Sequence, residues 1–122
     1  MNANAPLVVS CSYGAEDPER AILSFIFANV AASADQPAAV LLTIEGVRLT
    51  TTGYADEIRK DGFPPLREVM DSFRANGGQI WACGTCAKPR GIGESDLIPG
   101  ARIVTAAFVV QQMVAGAPAI GF

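Results

Sequence analysis

Short, almost wholly apolar runs alternate along this chain with stretches that read as helix. Leu7-Val-Val-Ser-Cys-Ser12, Ala38 to Ile44, Gln79 to Ala82, Arg102 to Val104 and Ala119 to Phe122 are strand-like. They lack the in–out alternation of a half-solvated sheet, so both of their faces need cover. Between them, Asp17-Pro18-Glu19 starts a helix running to about Ser33, with Ile22, Phe25, Ile26, Asn29 and Val30 on one face. Pro64-Pro65 starts a second helix, with a stripe of Leu66, Val69, Met70 and Phe73 and a stop at Asn76-Gly77-Gly78. Thr105 to Val114 reads as a third. Val47 to Ala55 resists assignment: Thr50, Thr51, Thr52 and Gly53 disfavour a long regular helix. Strand–helix alternation of this kind predicts an α/β fold with a parallel sheet and helices on its faces.

The 122 residues suit a single domain, 1–122. Half of them are hydrophobic and 17% charged, which excludes a disordered segment. A net charge of −3 argues against nucleic acid and anionic membranes as partners. No apolar run approaches the roughly 18–20 residues of a membrane span. Residues 1–6 carry no features of a signal peptide, so the expected compartment is the cytoplasm. There, cysteines stay reduced unless they have a redox or transfer task. Three cysteines cannot all pair within one chain, and the sequence has no histidine. Histidine-based acid–base catalysis, His-activated nucleophiles and His-ligated metals are therefore excluded.

In parallel sheets, chemistry collects at the carboxyl ends of the strands. The loops expected there are 13–17, 45–53, 83–92 and 104–106. One of them holds Cys83-Gly84-Thr85-Cys86, followed by Lys88 and Arg90. A helical turn starting at Gly84 would put both sulfurs near unpaired N–H groups. Those groups and the two cations favour the thiolate, the nucleophilic form. A structural pair of small apolar cysteines is the bland alternative. Zinc is disfavoured because the motif supplies two ligands where a structural site wants four. Cys11, inside the first strand, is expected to be buried and inert. Tyr13, Gly14 and Glu45 are pocket candidates, though a tight-turn glycine and a solvated loop acid are the simpler readings. Trp81 is expected in the core or, with Phe108 and the final Ala-Ile-Gly-Phe, at a subunit interface. Asp56, Glu57, Arg59 and Lys60 read as a solvated face.

The segment Tyr13-Gly-Ala-Glu-Asp-Pro-Glu-Arg20 resembles the first loop of DsrE/DsrF-like proteins, and Glu45-Gly46-Val47 resembles their second. The most specific similarity is Cys83-Gly-Thr-Cys-Ala-Lys-Pro-Arg-Gly-Ile92, followed by Leu97-Ile-Pro-Gly-Ala101. The resemblance spans nearly the whole chain. It implies a three-layer α/β/α fold with a five-stranded parallel sheet, and a homo-oligomer, trimer favoured. Sulfur-relay subunits of the TusD type carry sulfur as a cysteine persulfide. Their cysteine follows the third strand, seven residues before an Arg-Gly pair. Cys83 stands seven before Arg90-Gly91, so the carrier role falls on Cys83, with Gly84, Thr85, Lys88 and Arg90 in support. Cys86 departs from the pattern, since a small residue is usual there. The implied partners are sulfur donor and acceptor proteins or small-molecule persulfides, with no cofactor and no metal. Two other readings stay open: a dithiol redox protein cycling a Cys83–Cys86 disulfide, and a non-catalytic oligomeric binding module.

Overall fold

The computed structural model of the chain describes residues 5–122. Within them, five strands form one sheet: β1 (Leu7–Cys11), β2 (Ala38–Leu42), β3 (Gln79–Cys83), β4 (Ala101–Val104) and β5 (Ala119–Gly121). Their order is β4-β3-β2-β1-β5, and every adjacent pair is parallel. The helices are α1 (Pro18–Ser33), α2 (Leu66–Ala75), the single turn α3 (Gly84–Ala87) and α4 (Ala106–Val114). The unassigned stretch resolves into two 3-10 segments, Ile44–Thr50 and Tyr54–Glu57, with Gly53 between them at φ +86°.

The continuous apolar character of the strands has a direct cause in the layering. Val9, Val40 and Ile80 face one way, into a core closed by Ile22, Phe25 and Phe73 of α1 and α2. Phe25 and Phe73 meet edge to face with ring centroids 5.8 Å apart. Val8, Ala39 and Trp81 face the other way, under Phe108, Val109 and Met113 of α4. Residues one apart thus serve opposite layers, as the strand period requires. The parallel α/β architecture read from the strand–helix alternation, and the three-layer, five-stranded form that the DsrE/DsrF-like resemblance implies, are the fold observed.

Several boundaries differ from the sequence reading. β2 stops at Leu42 rather than Ile44: the Thr43 N–H makes the last ladder bond to β1, to the Cys11 carbonyl at 3.1 Å, and Ile44 then leaves the extended conformation at φ +52°. α2 begins at Leu66, one residue past Pro64-Pro65, because a residue before proline is held out of the helical region and Pro65 becomes the cap. The buried stripe of α1 runs through Ala21, Ile22, Phe25, Ala28 and Ala32. The alanines let the helix lie close on the sheet, which rolls Val30 outward to 66% exposure. Asn29 and Ile26 are only partly buried.

Trp81 is core rather than an accessible interface residue. It is 1% exposed, packed edge to face against Phe108, with the Arg102 guanidinium over both rings. The apolar surface that remains open on this side is Val110 and Val114 of α4 and Ile120 of β5. Among the charges expected to be solvated, Asp56 pairs with Arg67 at 2.5 Å on the surface. The reading of residues 1–6 concerns a segment whose first four residues lie outside those described. No helix among the described residues is long and apolar enough to cross a membrane.

Candidate functional site

The carboxyl ends of β1, β2 and β3 converge on one region, and the cysteine motif stands at the third. Cys83 is the last residue of β3, in register with Val104 of β4, and also the N-cap of α3. Gly84 lets the junction lie close on β4. A Cβ there would lie 3.2 Å from the Val104 carbonyl oxygen and 3.3 Å from an Ile103 methyl, so a larger residue would have to move the turn or β4 by a few tenths of an ångström. Cys86 follows as the third residue of α3. Both thiols are free and half-buried, packed against the main core, while Thr85 and Lys88 are exposed. Cys83 at the N-cap and Cys86 three residues on thus belong to one short turn.

The helical turn expected at Gly84 is present, but it is a single turn that passes into a 3-10 turn over Lys88–Arg90. One turn carries little macrodipole. What it offers a sulfur anion at Cys83 is the unpaired N–H groups of its first residues.

Arg90 is not a free cation beside the thiols. Its Nε donates to Glu45 Oε1 at 2.8 Å and its Nη1 to the Cys86 carbonyl at 3.1 Å. The other carboxylate oxygen, Oε2, accepts from Arg48 Nε at 2.8 Å. Glu45, its side chain 38% exposed, is therefore not a free acid: it bridges two arginines. The hydrogen bond from Arg90, then that from Arg48, holds its carboxyl below the usual carboxylate range. The bridge is thus ionised above the ordinary glutamate pKa and is lost only as pH falls through the lowered value. Arg48 sits three residues after Glu45, a spacing at which a pair was legible but not singled out.

The first loop meets the second through Gly14. A Cβ on Gly14 would lie 2.6 Å from the Tyr54 hydroxyl and 3.0 Å from the Glu45 carbonyl oxygen. The Gly14 N–H donates to Glu16 Oε1 at 2.7 Å, and the Ala15 N–H donates to the Tyr54 hydroxyl at 2.9 Å. Gly14 is thus a packing contact between loops. Tyr13 is engaged on its ring face by the Arg20 guanidinium, 4.8 Å from the centroid. Tyr54 escaped the sequence reading because it lies in the one stretch with no clear periodicity. After the cysteine turn the chain is tied down again: the Thr52 N–H donates to the Asp96 carbonyl and the Ile98 N–H to the Thr50 carbonyl, at 3.1 and 2.8 Å. The structure therefore joins Glu45, Arg90 and the Cys86 carbonyl through named contacts, with Gly14 against the back of Glu45, while Cys83 is placed by its pairing with β4. Among the described residues, no three Cys, Asp or Glu side chains gather as a metal site would require.

Cys11 is fully buried in β1, its thiol directed at the Tyr13 carbonyl 3.4 Å away. Burial pushes this thiol up. Alkylation with iodoacetamide at neutral pH is expected to modify Cys83 at least about tenfold faster than Cys11, since burial both disfavours the Cys11 thiolate and closes it to the reagent. Peptide mass mapping of a labelling time course reads the two rates; equal rates would refute the assignment of Cys83 as the accessible nucleophile.

Fold and site together define a small parallel α/β protein that presents a cysteine pair at the carboxyl end of its third strand. The chain belongs to the DsrE/DsrF-like family, whose match covers residues 6–120. It is 29% identical over 93 residues to an uncharacterized protein of Methanocaldococcus jannaschii, a match covering 76% of this chain and 34% of that protein. It is 31% identical over 87 residues to an uncharacterized protein of Methanopyrus kandleri, covering 71% of this chain and 69% of the relative. The chain thus spans about a third of the first relative's length and about two thirds of the second's. Among solved structures, the ychN protein from E. coli superposes with a TM-score of 0.75 at 19% identity, covering 96% of this chain and 99% of that one. A protein of unknown function from Methanobacterium thermoautotrophicum gives 0.73 at 16% identity, covering 96% and 98%. At these identities the superpositions establish the fold.

Proposed function

We propose that the chain is a cytoplasmic sulfur-transfer protein that carries sulfur as a persulfide on Cys83. The observation that carries this reading is the placement of Cys83 at the end of β3 and the start of α3, half-buried and unpaired. Family membership supports it, since a sulfur-relay role is what the family suggests. In the first step the Cys83 thiolate attacks the outer sulfur of a donor persulfide. The donor's S–S bond breaks, its own sulfur leaves as a thiolate, and Cys83 holds the new persulfide. An acceptor thiolate then attacks the outer sulfur on Cys83, which leaves as thiolate again. Neither step changes the net oxidation level, and neither needs a histidine. The first-turn N–H groups of α3 would stabilise the persulfide anion.

Cys86 adds a second outcome. Its thiolate can attack the inner sulfur of the Cys83 persulfide, forming the Cys83–Cys86 disulfide and releasing hydrosulfide. Both cysteines belong to one short turn, so this route opens whenever Cys86 reaches Cys83, and it also keeps dithiol redox cycling as the second reading. Incubation with a small-molecule persulfide followed by intact and peptide mass spectrometry tests the proposal. One added sulfur on the Cys83 peptide is expected. Loss of two hydrogens in the unsubstituted chain with no sulfur added to Cys86→Ser, which cannot form the disulfide, would favour the redox reading, and no change in either would reject both.

We further propose that the chain acts as a homo-oligomer, trimer favoured. α4 buries none of its residues completely, and β5 is an exposed edge strand. Val110, Val114 and Ile120 leave apolar surface open there. Light scattering at micromolar concentration is expected to give a multiple of the chain mass; a monomer would reject this part.

A further inference from the structure

The Glu45–Arg90–Cys86 connection is the contact that the sulfur chemistry above leaves unused. The two thiols are held by different means. Cys83 lies in β3 and is fixed by its register with Val104. Cys86 lies beyond the sheet on a single helical turn, followed by Pro89, which has no N–H with which to extend the helix. A side-chain donor reaches that turn: Arg90 Nη1, on the Cys86 carbonyl. Arg90 is in turn aimed by Glu45, whose second oxygen is anchored by Arg48.

The backbone before Glu45 carries a cost that fits this role. Ile44 adopts φ +52°, a conformation unfavourable for a β-branched residue, and its side chain is 53% exposed. Neither burial of Ile44 nor continuation of β2 accounts for that turn. Its effect is to start the 3-10 segment at the carboxyl end of β2, from which Glu45 reaches the cysteine loop. Strained residues of this kind collect where geometry serves function.

We propose that Glu45 is a positioning residue: by fixing Arg90 on the Cys86 carbonyl, it holds the second thiol in its place against the core. This rests on the reading of Cys83 and Cys86 as the working thiols. It adds a control to that reading. With the brace intact, Cys86 stays packed against the core and sulfur on Cys83 is kept for an acceptor. With the brace gone, the turn frays, Cys86 gains freedom, and the persulfide is lost as disulfide and hydrosulfide.

The test needs no sulfur donor, so failure of sulfur transfer and failure of this proposal are separate results. The ratio of Cys86 to Cys83 labelling by iodoacetamide is measured in the whole chain, beside the melting temperature. Glu45→Ala and Arg90→Ala are each expected to raise the ratio about threefold or more, a change of the size that loosening one hydrogen-bonded turn produces. Because Glu45 acts through Arg90, the double variant is expected to show no more than the larger single effect. Arg48→Ala breaks only the outer arm and is expected to leave the ratio within about a factor of two, marking the inner arm as the working one. Should Arg90→Ala fail to fold, Arg90→Lys keeps the charge but cannot reach both oxygens, and the ratio is read there. A wild-type ratio in Glu45→Ala overturns the proposal. So does an undiminished effect of Glu45→Ala in the Arg90-substituted background, or a fall in melting temperature with no change in ratio.

Discussion

Cys83→Ser is expected to load no sulfur from a persulfide donor, whereas Cys86→Ser loads as wild type does and retains the sulfur longer. A serine hydroxyl is not appreciably ionised at pH 7 and is a poor nucleophile toward sulfur, so the loss at Cys83 should be complete rather than partial. The substitution is nearly isosteric at a half-buried strand end, and the β3–β4 register at Val104 uses backbone atoms alone. Stability should therefore change by no more than about 1 kcal/mol, and loss of loading can be assigned to chemistry. Cys86→Ser leaves the nucleophile in place and removes the neighbouring thiol that would displace hydrosulfide from the persulfide. Intact-mass analysis of both variants at several times after donor removal separates the roles. In a redox protein either change would stop disulfide cycling equally. Loading of Cys83→Ser at the wild-type level, with none on Cys86→Ser, would place the nucleophile on the other cysteine.

What the sequence made legible and what it hid divide along a physical line. Strands covered on both faces announce themselves as unbroken apolar runs, so Val8, Val9, Val40 and Ile80 could be placed without knowing which helix each one meets. The cysteine turn was legible because Cys83-Gly84-Thr85-Cys86 sits directly after such a run. The partner of Arg90 was not. Glu45 is 45 residues earlier in the chain, and only the parallel pairing of β2 with β3 brings their carboxyl ends together. The two cations that sequence counts as support for a thiolate therefore part company: Lys88 stays exposed, while Arg90 is engaged by a carboxylate and a carbonyl. The exposed side of α1 was misjudged for a related reason. Periodicity weighs Val30 above Ala28 and Ala32, but close packing of a helix on a sheet selects the small residues. Tyr54 and the 3-10 segments carry no periodic signal at all, because their geometry is set by contacts to loops distant in sequence.

Gly46→Ala is expected to destabilise the chain by about 2–3 kcal/mol, the range for forcing an extra carbon into a filled interior. Gly46 is buried, and a Cβ there would lie 2.5 Å from the Cys11 carbonyl oxygen and 3.3 Å from its carbon. Backbone atoms of a central strand cannot yield as the end of a flexible side chain can. The same carbonyl already accepts the Thr43 N–H at 3.1 Å, and the Gly46 N–H donates to the Thr43 carbonyl at 2.9 Å. The 3-10 segment must then lift off the end of β1, carrying with it Val47, Leu49 and Thr50, all of which are wholly buried. It also carries Glu45, so Arg90 should lose its aim. Urea denaturation reads the stability, and the Cys86-to-Cys83 labelling ratio reads the site. Gly53→Ala is the contrasting control. Gly53 sits at φ +86° with nothing within 4 Å of the added carbon, so its cost is conformational alone, about 1 kcal/mol, and the labelling ratio should hold. A Gly46→Ala chain as stable as wild type would mean that the segment after β2 can move freely on β1. In that case the packing described between the second loop and the first strand would not be what positions Glu45.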